Sequence, residues 1–149
     1  KAKLQDALSP RSDLTESFDK VIVDAPCSGL GVIRRKPDIK WTKVPEDISS
    51  LAGMQLNMLS TVSSYVKPGG TLIYSTCSID PEENREVVEK FLQCYPEFRF
   101  DDIEDLLPDS LRGNKDGEKG FINLYPHIHD VDGFFIARLQ KSPFKEMPH

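Results

Sequence analysis

Cysteine is scarce in this sequence and shows no pairing pattern. The three cysteines of the 149-residue chain, Cys27, Cys77 and Cys94, are an odd number without a C-x-x-C spacing or a nearby histidine cluster. That argues against a disulfide framework and a zinc site, so free thiols in a reducing cytoplasm are expected and no metal is. Long apolar runs are lacking too. The longest are strand-sized, such as Val21-Ile22-Val23, far short of the roughly 18 consecutive apolar residues of a membrane span, and no membrane role is expected. Excess positive charge is also missing: 19 Lys and Arg against 24 Asp and Glu leave a net charge of −5. A surface that grips nucleic acid throughout needs clustered cations, so any such contact has to be local or come from another segment. Repeats and low-complexity tracts are absent. So is an initiating methionine; the chain opens on Lys1 and is expected to begin inside a larger protein, so targeting signals cannot be judged from it.

What is present reads as one ordinary domain, with 38% hydrophobic and 29% charged residues. It is expected to span residues 1–141, followed by a frayed tail, 142–149. Lys1 to Gln5 has the look of a strand's last residues, which sets Asp6 at its carboxyl end before a polar loop. Phe18 to Asp24 is a β-branched run stopped by Ala25-Pro26, the pattern of a buried parallel strand. A helix starts around Pro45-Glu46-Asp47, with Leu51, Met54, Met58, Leu59, Val62 and Val66 on one face. Lys67-Pro68-Gly69-Gly70 ends it, and Thr71 to Ser75 forms the next strand. Asp80-Pro81-Glu82-Glu83 then opens a helix that buries Val87, Val88, Phe91 and Leu92 and reaches Tyr95. Phe98 to Phe100 is a short strand, Leu111 to Lys119 an exposed loop, and Phe121 to Tyr125 pairs antiparallel with Gly133 to Leu139.

Strands alternating with helices imply an open α/β sheet, which binds ligands beyond the carboxyl ends of its parallel strands. Asp6, Asp24, Cys27 and Cys77 all fall at that edge. Each has a bland reading as well. A cysteine is usually a small hydrophobe, the reading preferred for Cys94, and Asp24 or Asp6 can simply cap its own loop. Two cysteines at matching strand tips favour a shared site over either alone. His127 and His129 lack a carboxylate-histidine ligand spacing and are read as surface residues.

Two short signatures sharpen this: Asp24-Ala25-Pro26-Cys27-Ser28-Gly29 after one strand, and Ser75-Thr76-Cys77-Ser78 after the next. Together they resemble the RNA (cytosine-5) methyltransferase family, in which a Pro-Cys and a Thr-Cys motif occupy these two places. The resemblance covers nearly the whole chain, including Gly31-Val32-Ile33-Arg34-Arg35 with Pro37-Asp38, the Lys67-Pro68-Gly69-Gly70 turn and Asp132-Gly133-Phe134-Phe135. It implies a Rossmann-like class I methyltransferase sheet, present here in its C-terminal part and ending in an antiparallel strand pair. It also implies S-adenosylmethionine as cofactor and ribosomal RNA as substrate.

Carbon 5 of cytosine is a poor nucleophile until another nucleophile adds at carbon 6, a reversible step that suits a thiolate. By the resemblance, Cys77 is that nucleophile and Cys27 assists product release. Asp24 matches an acid beside the methionine end of the cofactor and the target ring, and Asp6 an acid that contacts the adenine. A helix N-terminus just after Cys77 is expected to favour its thiolate, against Glu82 and Glu83. Arg34, Arg35 and Lys36, with Lys40 and Trp41 beside them, form the basic cluster expected to meet RNA phosphate.

The sequence departs from the family in one respect. The Gly-rich loop after a first strand and the acid after a second, which hold the cofactor in this fold, are not found. Gly69-Gly70 follows a helix and precedes a strand, the reverse of such a cradle. The N-terminal half of its own chain is therefore an expected missing partner, the 149 residues alone are expected to be inactive, and an unpaired strand edge to favour self-association. Two rival readings stand beside this one: an amino-group methyltransferase in which both cysteines are bystanders, and a non-catalytic RNA-docking domain.

Overall fold

A computed structural model of the chain describes residues 4–113 and 117–143. Strand β1 (Phe18–Asp24) is followed by a loop and the short helix α1 (Ile39–Thr42), then by the long helix α2 (Pro45–Ser63). Strand β2 (Val66–Thr76), helix α3 (Arg85–Cys94) and strand β3 (Phe98–Phe100) come next. Strand β4 (Phe121–Leu124), the short helix α4 (Pro126–His129) and strand β5 (Phe134–Lys141) complete the order. β1 and β2 pair in parallel, Val21 against Leu72 and Asp24 against Ser75. β5 returns antiparallel to β2, and its other edge carries both β4 and β3. This is a mixed α/β sheet of Rossmann-like character in which β1 and β2 are the parallel pair and the remaining pairings are antiparallel.

The core follows from the sequence pattern. β5 alternates buried Phe135, Ala137 and Leu139 with half-exposed neighbours, the period of a strand with one covered face. β2 is buried almost throughout its second half, through Leu72, Tyr74 and Thr76. α3 supplies Val87, Val88 and Phe91, and the Phe91 ring stacks on Tyr95 at 4.7 Å and meets Phe98 at 5.3 Å. Phe121 joins Phe100 and Phe135 at 5.6 and 5.8 Å.

Several elements differ from the sequence reading. α2 ends at Ser63, so Val66 begins β2 rather than closing the helix face, and Lys67-Pro68-Gly69-Gly70 lies within the strand. The buried stripe of α2 is Ala52, Gln55, Leu59 and Val62, with Met54 turned outward. α3 starts at Arg85, after a turn over residues 81–84, because the side chains of Glu83 and Asn84 are bonded to the strand-tip loops instead of capping a helix. Leu4, Gln5 and Asp6 are not in a strand, residues 1–3 and 144–149 lie outside the described residues, and the Ser142 N–H is tied to the Glu97 carbonyl at 2.7 Å. Among the described residues no helix is long and apolar enough to cross a membrane.

Candidate active site

The carboxyl ends of β1 and β2 are in register, so the loops that follow them leave the sheet side by side. Cys27 and Cys77 sit in these loops with their sulfurs 3.2 Å apart. They line a cleft of about 410 Å³ with Asp24, Val32, Arg35, Lys36, Asp132 and Phe134. Cys94 is exposed on α3 and takes no part in this lining.

The Asp24 carboxylate is exposed and accepts a hydrogen bond from Ser75 Oγ at 2.9 Å. Its neighbour in sequence, Ala25, donates its N–H to the Ser75 carbonyl, continuing the ladder to the cleft. The two thiols are not equivalent. Burial, and then the hydrogen bond with Cys77, push the Cys27 thiol up to about 12. Cys27 therefore keeps its proton at neutral pH.

Three chain segments are stitched together at Gly31. Its N–H donates to the Cys77 carbonyl at 2.9 Å, and its own carbonyl accepts the Gly133 N–H at 2.8 Å. A Cβ on Gly31 would lie 2.1 Å from the Gly133 oxygen and 2.7 Å from the Cys77 oxygen, so only glycine allows this approach.

Below the cysteines lies a polar cluster that the sequence reading did not single out. Glu83 is fully buried and its carboxylate accepts from Ser28 N–H at 2.8 Å, from Ser28 Oγ and from Gln55 Nε2 at 3.0 Å. Ser28 Oγ also meets Ser78 Oγ at 3.2 Å, and Tyr74 donates its hydroxyl to the Glu83 carbonyl at 2.6 Å. Thr76 Oγ1 donates to Asn84 Oδ1, whose amide donates to the Ser78 carbonyl at 3.0 Å. Two signals for this cluster were present in the sequence. A serine follows each of Cys27 and Cys77, and Gln55 interrupts an apolar stripe three residues after Ala52 and four before Leu59.

The other expected site residues divide. Arg34 and Arg35 each hold an oxygen of Asp132 at 2.6 Å, so they tie the Asp132 loop to the rim of the cleft. The Arg34 hydrogen bond, ahead of the charge of Arg35, holds the Asp132 carboxyl below its ordinary value. Lys36 lines the cleft, and among the described residues it forms no ion pair. Asp6 is not brought to the cleft. It caps its own turn, accepting from Leu8 N–H and Ser9 Oγ at 2.9 Å each. The flanking Gln5 and Arg11 bond the Tyr65 hydroxyl, on the residue before β2, at the other end of that strand from Cys77. The helix expected to begin just after Cys77 begins eight residues on, at Arg85, too far along the chain for a dipole that acts within its first turn. His127 and His129 lie on α4, and the His129 Nδ1 accepts the Tyr125 N–H.

A family model described as 16S rRNA methyltransferase RsmB/F matches residues 2–140. The chain belongs to this family. It is 48% identical over 129 residues to the probable ribosomal RNA small subunit methyltransferase B of Bacillus subtilis (strain 168), covering 85% of this chain and 28% of that protein. The chain thus spans about 28% of the length of this curated relative. Among solved structures, a methyltransferase homolog protein from Pyrococcus horikoshii superimposes with a TM-score of 0.63 at 31% identity, covering 83% of this chain and 39% of that one. NSun6 from Pyrococcus horikoshii, solved with the S-adenosylmethionine analogue SFG, gives a TM-score of 0.69 at 25% identity, over 95% of this chain and 34% of that one. Within the RsmB/F family frame, the Pro-Cys and Thr-Cys loops are the two halves of one cleft.

Proposed function

We propose that this chain carries the nucleophile-bearing half of a methyltransferase that acts on carbon 5 of a cytosine in ribosomal RNA through a covalent cysteine adduct. The observation that carries this reading is the sulfur–sulfur contact of 3.2 Å between a thiol at the tip of one parallel strand and a thiol at the tip of the next. Neither an amino-group methyltransferase nor a docking domain has a use for two thiols facing one cleft.

The residues divide the work by their protons. Cys77 adds as thiolate to carbon 6, forming the S–C6 bond and leaving carbon 5 enamine-like. Asp24 lines the cleft, and in its acid form it would donate a hydrogen bond to ring nitrogen 3, which makes carbon 6 more electrophilic. S-adenosylmethionine, when bound, supplies an electrophilic methyl group. For release, Cys27 hands its proton to the Cys77 sulfur as the S–C6 bond breaks. A thiol of such high proton affinity is a strong base once deprotonated, and it takes the carbon 5 proton in exchange. Both cysteines end as thiols and the ring recovers its double bond.

The donor set tests the cofactor assignment. An exposed carboxylate at the carboxyl end of β1 suits the ammonium of a methionine moiety, so Asp24 fits that end. The assignment of Asp6 to the adenine end rests on the resemblance alone. Lys36, with Lys40 stacked over the exposed Trp41 ring at 5.1 Å, offers the RNA a cationic and aromatic rim. Without the Gly-rich cradle, the 149 residues by themselves are expected to give no turnover on ribosomal RNA.

RNA containing 5-fluorocytosine tests the reading, because fluorine at carbon 5 blocks the final proton loss. The complete protein should form a denaturation-resistant adduct that is lost in Cys77→Ala and kept in Cys94→Ala. An adduct that survives Cys77→Ala would overturn the reading.

A further inference from the structure

We propose that Gln55 and Glu83 form a buried clamp on the Cys27 loop, acting as positioning residues that hold the Cys27 thiol against Cys77 for the release half of the reaction. This rests on the methyltransferase reading above.

The geometry encloses Cys27 from both sides. Gln55 Nε2 donates to the carbonyl of Pro26, the residue before it, at 3.0 Å, and to Glu83 at 3.0 Å. Glu83 in turn accepts from the N–H and hydroxyl of Ser28, the residue after it. Two side chains from different elements, both fully buried, thus fix the backbone on either side of one cysteine. Neither lines the cleft.

Stability does not account for the pair. Gln55 lies on the stripe of Ala52, Leu59 and Val62, where an apolar side chain would pack, and its Oε1 is buried without a partner among the described residues. A buried polar atom left unpaired is costly, so the amide is kept for the two bonds it donates.

Apart from the Ser28–Ser78 hydroxyl contact at 3.2 Å, which links it to the clamp, the attacking sulfur has supports of its own. Cys77 directly continues β2, its carbonyl is held by Gly31, and the following Ser78 is held by Thr76 and Asn84. Loosening the clamp therefore displaces the proton shuttle and leaves the nucleophile in place.

The test uses the complete protein and the variants Gln55→Met and Glu83→Gln, the first of which keeps side-chain volume and an intact core. Adduct formation on 5-fluorocytosine RNA should stay within about threefold of wild type, while turnover on ordinary cytosine RNA falls about 100-fold and covalent complex accumulates. Trapping and turnover that fall in equal proportion, or turnover that is unchanged, would overturn the clamp. A second readout needs no RNA. Iodoacetamide labelling followed by mass spectrometry should show Cys27 modified about tenfold faster relative to the exposed Cys94 in both variants; an unchanged ratio would overturn the clamp. If that ratio rises but wild type traps no RNA, the clamp's hold on Cys27 is upheld and the methyltransferase reading fails.

Discussion

At the residue scale, the proposed release step turns on the proton of Cys27. Burial raises that thiol to about 12, so the folded state binds the proton more tightly than the unfolded chain, whose thiols titrate near 8.5. Folding stability is therefore expected to fall as pH rises above the unfolded thiol value and towards the folded one, since only the unfolded state releases the proton there. Thermal melts of wild type and Cys27→Ala between about pH 8 and pH 11 check this, and the variant should lose less stability over that range. In the complete protein, Cys27→Ala should also accumulate covalent RNA complex during ordinary turnover, seen as a slow-migrating band on a denaturing gel. Less adduct than wild type would reverse the roles of the two thiols. Asp132 titrates in the opposite sense. Its carboxyl is held low by Arg34 and then Arg35, so its contribution is present above the unfolded carboxyl value and disappears as pH falls through the folded one. Asp132→Asn should flatten the acid limb of the stability profile below about pH 4.

At the scale of elements, the strands were the legible part of the sequence. A β-branched run stopped by Ala25-Pro26 and an alternating run after Gly133 announce strands because period-2 burial leaves a period-2 pattern. Cys27 and Cys77 could be set at one edge for the same reason. The helices were less legible where a side chain has work outside its own element. Asp80-Pro81-Glu82-Glu83 has the composition of a helix start, yet Glu83 is drawn into the space between the two cysteine loops and α3 begins only at Arg85. Gln55 was passed over because hydrophobic periodicity ranks apolar residues and does not see a buried amide. The ion pairs of Arg34 and Arg35 with Asp132 are not legible in the basic cluster, because Asp132 lies 97 residues beyond Arg35 along the chain and no local pattern reveals the pairing. Packing gives the element-scale prediction. Phe91 is fully buried between Tyr95 and Phe98, so Phe91→Ala should cost about 3–5 kcal/mol in chemical denaturation.

The 149 residues carry a net charge of −5, so the proposed RNA contact is expected to be local, at the rim of the cleft, or to come from another segment. With Arg34 and Arg35 held by Asp132, Lys36 is the cleft-lining cation expected to meet phosphate. Lys36→Ala should weaken RNA binding by the complete protein and lower the slope of log affinity against log salt by about one, whereas Arg34→Ala should act mainly by loosening the Asp132 loop. β1 forms one border of the sheet, and its Ile22 is 69% exposed. A strand border of this kind is a surface for further chain to cover. The central claim is which sulfur joins the base, and peptide mapping of the complete protein trapped on 5-fluorocytosine RNA tests it most directly. After protease and nuclease digestion, mass spectrometry should find the methylated nucleotide on the peptide that contains Cys77, with Cys27 and Cys94 unmodified. Nucleotide mass on the Cys27 peptide, or on neither, would contradict the account.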